Sequence, residues 1–201
     1  MKPFRTLMAS AVAVTLLAVP AMAEKLPLSE ISRYLNSLTT AQSDFTQVNP
    51  DGSVSTGELM IHRPGRVRFE YAKPDRSVVM AGGGQVAVFD AKSNQPPEQY
   101  PLARTPLSII LAENVNLGRA RMVVGHQEID NATHVVAQDP DHPDYGNIDM
   151  VFTANPTELR QWIITDGAGA KTTVILGELR KGVRLPASLF SITLEQQSRG
   201  R

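Results

Sequence analysis

The stretch of sequence that decides this fold runs Gly57-Glu58-Leu59-Met60-Ile61-His62-Arg63-Pro64-Gly65-Arg66-Val67-Arg68-Phe69-Glu70-Tyr71. Its second half alternates strictly, so that Val67, Phe69 and Tyr71 share one face of a strand. Two arginines and a glutamate fall on the other face. A period of two residues is typical of a β-strand with one buried and one hydrated face. The stretch therefore predicts antiparallel sheet with an apolar inner face and a hydrated outer face.

Further strands are predicted on both sides of this stretch. Residues 45–48 and 54–62 are β-rich and are separated by Asn49-Pro50-Asp51-Gly52, which predicts a hairpin. Downstream, short runs of β-branched and aromatic residues recur between turn signals such as Gly82-Gly83-Gly84. These predicted strands cover residues 78–80, 86–89, 122–124, 134–136, 147–152, 160–165, 172–176 and 191–194.

Two short helices are predicted beside the strands. Leu28, Ile31, Leu35 and Leu38 recur at helical spacing and predict an amphipathic helix. Thr105-Pro106-Leu107-Ser108-Ile109-Ile110-Leu111 opens with a cap residue and a proline, which predicts a second, strongly apolar helix. Residues 91–101 before it are Pro-rich and are expected to form a long, mobile loop. The outline is one curved antiparallel sheet whose apolar face is covered by short helices, an arrangement that can enclose a cavity.

Composition excludes several classes of function. The 201 residues contain 20 basic and 20 acidic side chains, so no overall positive charge is present to bind nucleic acid. The chain has no cysteine, and its 4 histidines lack the spacing of a zinc site. Neither a phosphate-binding loop nor a GxSxG nucleophile motif occurs. We therefore expect no metal, no cofactor and no enzymatic activity, although a convergent catalytic site is recognised by geometry and is left open by the sequence.

The first 23 residues are expected to be a secretory signal peptide. Lys2 and Arg5 precede an apolar stretch over residues 7–19, and Ala21-Met22-Ala23 supplies small residues for cleavage. The apolar stretch is too short for a comfortable membrane span. We therefore expect a mature protein that begins at Glu24 and forms a single domain over residues 24–201. The expected compartment is the periplasm, and the expected state is a monomer.

A group of motifs resembles a known family. Asp44-Phe45-Thr46-Gln47, the quoted stretch from Gly57 to Tyr71, Pro74, and Thr105 to Leu111 are similar in order and spacing to the periplasmic outer-membrane lipoprotein carrier family, LolA. The resemblance covers roughly residues 28–190. It implies an incomplete antiparallel β-barrel, closed by a helical lid, whose apolar cavity holds the acyl chains of lipoproteins. The chain departs from the family in residues 189–195, which lack the F-x-x-x-P-x-G pattern usual there.

The resemblance also implies partners and a role for one arginine. Acylated lipoproteins are the implied cargo, and an inner-membrane ABC transporter of the LolCDE type is the implied loading partner. A LolB-like outer-membrane receptor is left open. Arg63 matches the arginine of the family's R-P motif, which implies that it bonds backbone groups of the lid helices and latches the lid.

We predict that eight apolar residues line the cavity, although each of them would also suit an ordinary core position. They are Leu59, Ile61, Val67, Phe69, Tyr71, Leu107, Ile110 and Leu111. The alternative function is a periplasmic lipid-binding or lipid-sensing module of the same fold that takes a different cargo.

Overall fold

The structure is a computed structural model that describes residues 25–93, 95–118 and 121–200. The predicted signal peptide, residues 1–23, lies outside these described residues. Its helices are α1 (Leu28–Ser37), α2 (Leu107–Leu111) and α3 (Ile192–Ser198), with short 3-10 helices at Leu102–Arg104, Pro143–Tyr145 and Ala187–Phe190. The strands are β1 (Thr40–Val48), β2 (Val54–His62), β3 (Val67–Tyr71), β4 (Val78–Gly82), β5 (Gln85–Phe89), β6 (Glu98–Pro101), β7 (Val123–Ile129), β8 (Ala132–Gln138), β9 (Asn147–Thr153), β10 (Glu158–Thr165), β11 (Lys171–Leu176) and β12 (Arg180–Lys181).

The strands form one antiparallel sheet of 12 strands that does not close on itself. Their order is β6-β5-β4-β3-β2-β1-β11-β10-β9-β8-β7, and β12 pairs with β1. Strand β1 therefore joins the two halves of the sheet. Strands β6 and β7 lie at the two ends of the strand order and form the free edges of the sheet. The predicted fold class, an incomplete antiparallel barrel with short helices, is confirmed. Among the described residues, no helix is both long and apolar enough to cross a membrane.

The predicted hairpins form where their turn residues lie. Strands β1 and β2 are in register from Thr40 opposite His62 to Val48 opposite Val54. Between β4 and β5, Gly83 and Gly84 have φ angles of 57° and 77°. Because a side chain disfavours such positive φ values, two consecutive glycines allow the tight turn there.

The helices α1 and α2 cover the inner face of the sheet. Side chains from strands on both halves of the sheet, such as Phe69 on β3 and Ile148 on β9, belong to one core cluster. Ile31 and Leu35 of α1 and Ile110 of α2 belong to the same cluster and are almost fully buried. The sheet therefore curves around these helices, which fill one part of its interior.

Three sequence predictions about secondary structure need correction. Residues 191–194, predicted as a strand, begin helix α3, because the Ser191 hydroxyl accepts a hydrogen bond from the Leu194 N–H and caps the helix. The predicted loop 91–101 ends in strand β6, which pairs with β5. The Thr105 hydroxyl does not cap α2, since it donates to the carbonyl of Leu102 instead.

The outer face of β3 is not hydrated as predicted. Arg68 is only 8% exposed, because the C-terminal segment, residues 183–199, packs over this face. Phe190 packs with Met60 of β2, and Ile192 of α3 packs against the apolar cluster of β4 and β5 that includes Phe89. Alternation alone does not reveal this cover, since it comes from a segment more than a hundred residues away along the chain.

Candidate ligand cavity and lid

A cavity of about 640 Å³ lies between the two halves of the sheet, beside the start of α2. This volume is within the range of roughly 300–1,000 Å³ that is usual for small-molecule sites. Its walls come from β1, β3, β4, β5, β6, β10 and β11, from the start of α2 and from the segments around them. The lining residues are Gln47, Phe69, Tyr71, Val79, Val86, Val88, Tyr100, Arg104, Thr105, Pro106, Leu107, Asp144, Tyr145, Trp162, Ile164, Asp166, Gly167, Thr172 and Val174.

The structure places three of the eight predicted residues on this wall. They are Phe69, Tyr71 and Leu107. The other five are buried in the core between the sheet and the helices, outside the lining of the cavity: Leu59, Ile61, Val67, Ile110 and Leu111. The role of all eight in binding cargo stays a prediction.

Several wall residues were missed by the sequence analysis, above all Trp162 and Ile164 on β10 and Val174 on β11. The run 160–165 was predicted as a strand, and its alternation already puts Trp162 and Ile164 on one face. The face of β10 could therefore be predicted. The sequence does not show which strands pair, so it does not predict that β10 and β3 lie on opposite sides of one cavity.

Three aromatic rings of the wall, those of Phe69, Tyr71 and Trp162, belong to a cluster that continues into the core through Phe45. Phe45 makes T-shaped contacts with Phe69 and Tyr71, at ring-centroid distances of 5.4 and 5.2 Å. Phe69 makes a further T-shaped contact with Trp162 at 6.3 Å. Edge-to-face packing of this kind is favoured by the ring quadrupoles and orients each ring. The result is an ordered aromatic cluster that joins β1, β3 and β10.

Two polar side chains of the wall, Tyr71 and Gln47, are hydrogen-bonded to each other. The Tyr71 hydroxyl donates to the Gln47 side-chain oxygen at 2.7 Å, and the Gln47 amide donates to Asn49 at 2.6 Å. Burial raises the pKa of Tyr71 to about 12, so its hydroxyl is neutral at physiological pH. The charged residues Arg104 and Asp166 on the lining are both exposed to solvent. The apolar interior therefore ends at a polar rim.

We call α1 and α2 together the lid. Arg63 lies where the C-terminal ends of these two helices meet. The guanidinium donates to the carbonyl of Leu35 and to the side chain of Asn36 at the end of α1, and to the carbonyl of Ala112 just after α2. Helix C-termini carry partial negative charge, which favours a cation there. Burial lowers the pKa of Arg63, but an arginine remains charged at physiological pH.

The two lid helices are joined to the sheet to different extents. Helix α1 is held by the Tyr34 hydroxyl, which accepts from the Leu159 N–H at 3.0 Å. The Lys181 ammonium lies 4.3 Å from the centroid of the Tyr34 ring and adds a cation–π contact. Helix α2 has only five residues, and its Leu111 carbonyl accepts from the Gly65 N–H at 2.9 Å.

A second depression of about 690 Å³ has Asp44, Glu58 and Glu70 among its lining residues, beside apolar ones such as Phe45 and Leu176. An apolar ligand there would bury these acidic side chains at a cost in free energy, which favours the first cavity as the ligand site. In the described part of the chain, no group of three or more potential metal-ligating side chains comes together.

An open antiparallel sheet that encloses an apolar cavity under short helices defines a protein that binds an apolar ligand. The family profile described as outer membrane lipoprotein carrier protein LolA matches residues 36–193. Because this match spans most of the chain, the chain belongs to the LolA family.

Similar proteins come from several species. An outer-membrane lipoprotein carrier protein from Methylococcus capsulatus is 26% identical over 179 residues, which cover 85% of each chain. One from Azotobacter vinelandii is 24% identical over 206 residues, which cover 98% of this chain and 97% of the relative. The solved structure of a LolA superfamily protein from Nitrosomonas europaea has a TM-score of 0.43 and 10% identity, and the match covers 83% of this chain and 98% of that chain.

Proposed function

We propose that this protein is a periplasmic carrier that binds the acyl chains of lipoproteins released from the inner membrane and delivers the lipoproteins to the outer membrane. The observation that carries the proposal is the apolar cavity in a member of the LolA family. An ABC transporter of the LolCDE type would load the carrier, and a LolB-like receptor is a candidate for unloading it. The protein would act by binding alone, without catalysis.

The energetic need for such a carrier follows from hydration. Each methylene exposed to water costs about 0.8 kcal/mol, so one long acyl chain costs on the order of 10 kcal/mol. A carrier that moves a lipoprotein through water has to bury the apolar surface of its acyl chains. The wall around Phe69, Leu107 and Val174 offers apolar surface for the purpose.

Arg63 would serve as the latch of the empty lid. Hydrogen bonds of a guanidinium to carbonyls contribute about 1.5–3 kcal/mol. This is small beside the burial of an acyl chain, so cargo can open the lid. It is large enough to favour closure after delivery. Because α1 is anchored to β10 and β12, the five-residue helix α2 is the part of the lid that we expect to move.

A charge on the cavity wall tests the proposal. Phe69→Glu should abolish displaceable binding of a fluorescent apolar probe, whereas the matched control Phe69→Leu should retain most of it. The unmodified protein should lose the probe when an acyl ligand is added. If acyl ligands leave the probe in place, or if Phe69→Glu binds it as well as Phe69→Leu does, the cavity is not the site.

The cargo is tested by mass spectrometry of material that copurifies with the protein from the periplasm. We expect triacylated lipoprotein. Phospholipid alone would contradict the proposed cargo and would indicate a lipid-binding or lipid-sensing module of the same fold.

A further inference from the structure

One polar group on the cavity wall has no partner. Trp162 is 1% exposed and lines the cavity. Its indole N–H is buried and finds no hydrogen-bond acceptor among the residues that the structure describes. Buried donors in folded proteins are almost always paired, because an unpaired donor has lost its bond to water without replacement. In the empty protein the indole nitrogen is closed off from the cavity. Because Trp162 lines that cavity, a ligand that displaces neighbouring wall side chains can bring the missing acceptor to it.

The surroundings of Trp162 offer nothing that replaces this acceptor. Its partners in register on the neighbouring strands are Val174 and Met150, both apolar and buried. The Phe69 ring is in T-shaped contact at 6.3 Å, and an aromatic ring is a weaker acceptor than a carbonyl oxygen. A bridging water does not reach the nitrogen in the empty protein either, since the nitrogen is closed to a molecule of that size.

We propose that the indole N–H of Trp162 donates a hydrogen bond to a carbonyl oxygen of the ester or amide that links an acyl chain to its cargo. This inference rests on the proposed function, since it concerns the same cavity. The hydrocarbon part of an acyl chain has no acceptor, so the linkage is the part that can pair with the indole. The wall of the cavity would then distinguish acyl chains from alkyl chains of equal length.

The selectivity has a physical cause. Apolar contacts with Phe69 and Val174 depend on buried area, and they are the same for an ester and for its ether analogue. Only the ester supplies a strong acceptor to a donor that is already desolvated. A net hydrogen bond of this kind corresponds to a preference of about three- to tenfold for the ester.

The test compares monododecanoyl glycerol with its ether analogue, monododecyl glyceryl ether, as competitors of a fluorescent apolar probe. The chain contains one tryptophan, so isotope-labelled protein gives one indole N–H resonance. We expect the ester to bind about three- to tenfold more tightly than the ether. The ester should also move the indole proton resonance downfield, and the ether should not.

Two variants separate the hydrogen bond from packing. Trp162→Phe keeps an aromatic ring but removes the donor, so it should abolish the preference for the ester. Val174→Ala, the control beside it, should weaken both ligands and keep the preference.

Three results would overturn the inference. They are an indole resonance that does not move when the ester binds to the unmodified protein, a preference that survives in Trp162→Phe, and a preference that Val174→Ala also abolishes. If neither ligand displaces the probe from the unmodified protein, the proposed function fails and the inference fails with it.

Discussion

Arg63 joins two helices and one strand end through a single buried side chain. Its guanidinium is bonded to the ends of α1 and α2, and the residue is 8% exposed. We expect Arg63→Leu to destabilise the empty, closed lid by about 1.5–3 kcal/mol, because the helix-end carbonyls lose a charged donor. The cavity itself should remain. The loss is measured as the change in free energy of unfolding of the unloaded protein.

The functional consequence of the same change concerns release. With the closed lid weakened, the variant should accept lipoprotein and accumulate in the loaded form, since closure no longer favours delivery. Arg33→Leu, which removes an exposed arginine from α1, is the matched control and should transfer cargo normally. Normal release by Arg63→Leu, or failure to load, would rule out the latch.

At the scale of single residues, the sequence predicted what a motif or an alternation encodes. The family resemblance at the R-P motif implied that Arg63 contacts the lid helices, and the alternation of β3 predicted the inner positions of Phe69 and Tyr71. Leu59 and Ile61 lie on the correct face but belong to the core, although Leu59 is the register partner of the wall residue Phe69. Alternation gives the face of a strand but does not distinguish core positions from cavity positions on that face.

Among the elements, helix α3 shows how a distant contact decides secondary structure. Residues 191–194 contain β-branched side chains that favour a strand. They form a helix because Ser191 caps it and because Glu195 pairs with Arg199 one turn later, at 2.6 Å. Glu195 also pairs with the buried Arg68 at 2.9 Å, which fixes α3 on the outer face of the sheet. The sequence around Glu195 does not show that Arg68 is its partner.

This ion network gives the C-terminal segment a pH dependence. Burial raises the pKa of Glu195, but hydrogen bonds and charge from Arg199 and Arg68 outweigh it and hold the pKa below its ordinary value. A lowered carboxyl pKa in the folded state contributes stability above the ordinary pKa, and this stability is lost as pH falls through the lowered value. At neutral pH the contribution is therefore complete.

Glu195→Gln should therefore lower the Tm at pH 7, by roughly 2–4 °C if it removes about 1 kcal/mol from a domain of this size. The difference from the unmodified protein should shrink as the pH is lowered from about 5 towards 3, because the carboxylate of the unmodified protein is then protonated as well. Thermal melts followed by circular dichroism over this pH range measure the difference in Tm. Glu178→Gln, at an exposed carboxyl, is the control. A difference that is constant with pH would contradict the network.

For the molecule as a whole, the sequence predicted one antiparallel sheet with helices on its inner face. The observed strand order shows that the sequence did not predict the pairing of strands that lie far apart along the chain. Hairpin neighbours such as β1 and β2 follow from short turns and periodicity. The pairing of β1 with β11 joins segments more than a hundred residues apart, and no local signal specifies it. That single pairing joins the two halves of the sheet. It therefore determines where the cavity lies.

Because the sheet does not close, its two edge strands are open to pairing with a second copy of the chain. Both edges carry features that oppose such pairing. Strand β6 is exposed and contains Glu98 and Pro101, which lacks an N–H for a ladder. Strand β7 has a register shift between Val123 and Gly125, which interrupts a regular ladder. We therefore expect a monomer.

Analytical ultracentrifugation checks this expectation at the level of the whole molecule. The unmodified protein should sediment as a monomer, and Glu98→Val combined with Pro101→Val should self-associate, because it restores an N–H and removes a charge from a free edge. The control combines Lys171→Val with Thr173→Val on β11, which already has a partner strand on each side. A dimer of the unmodified protein would contradict the argument. If the control associates equally, the self-association results from added hydrophobic surface and not from the free edge.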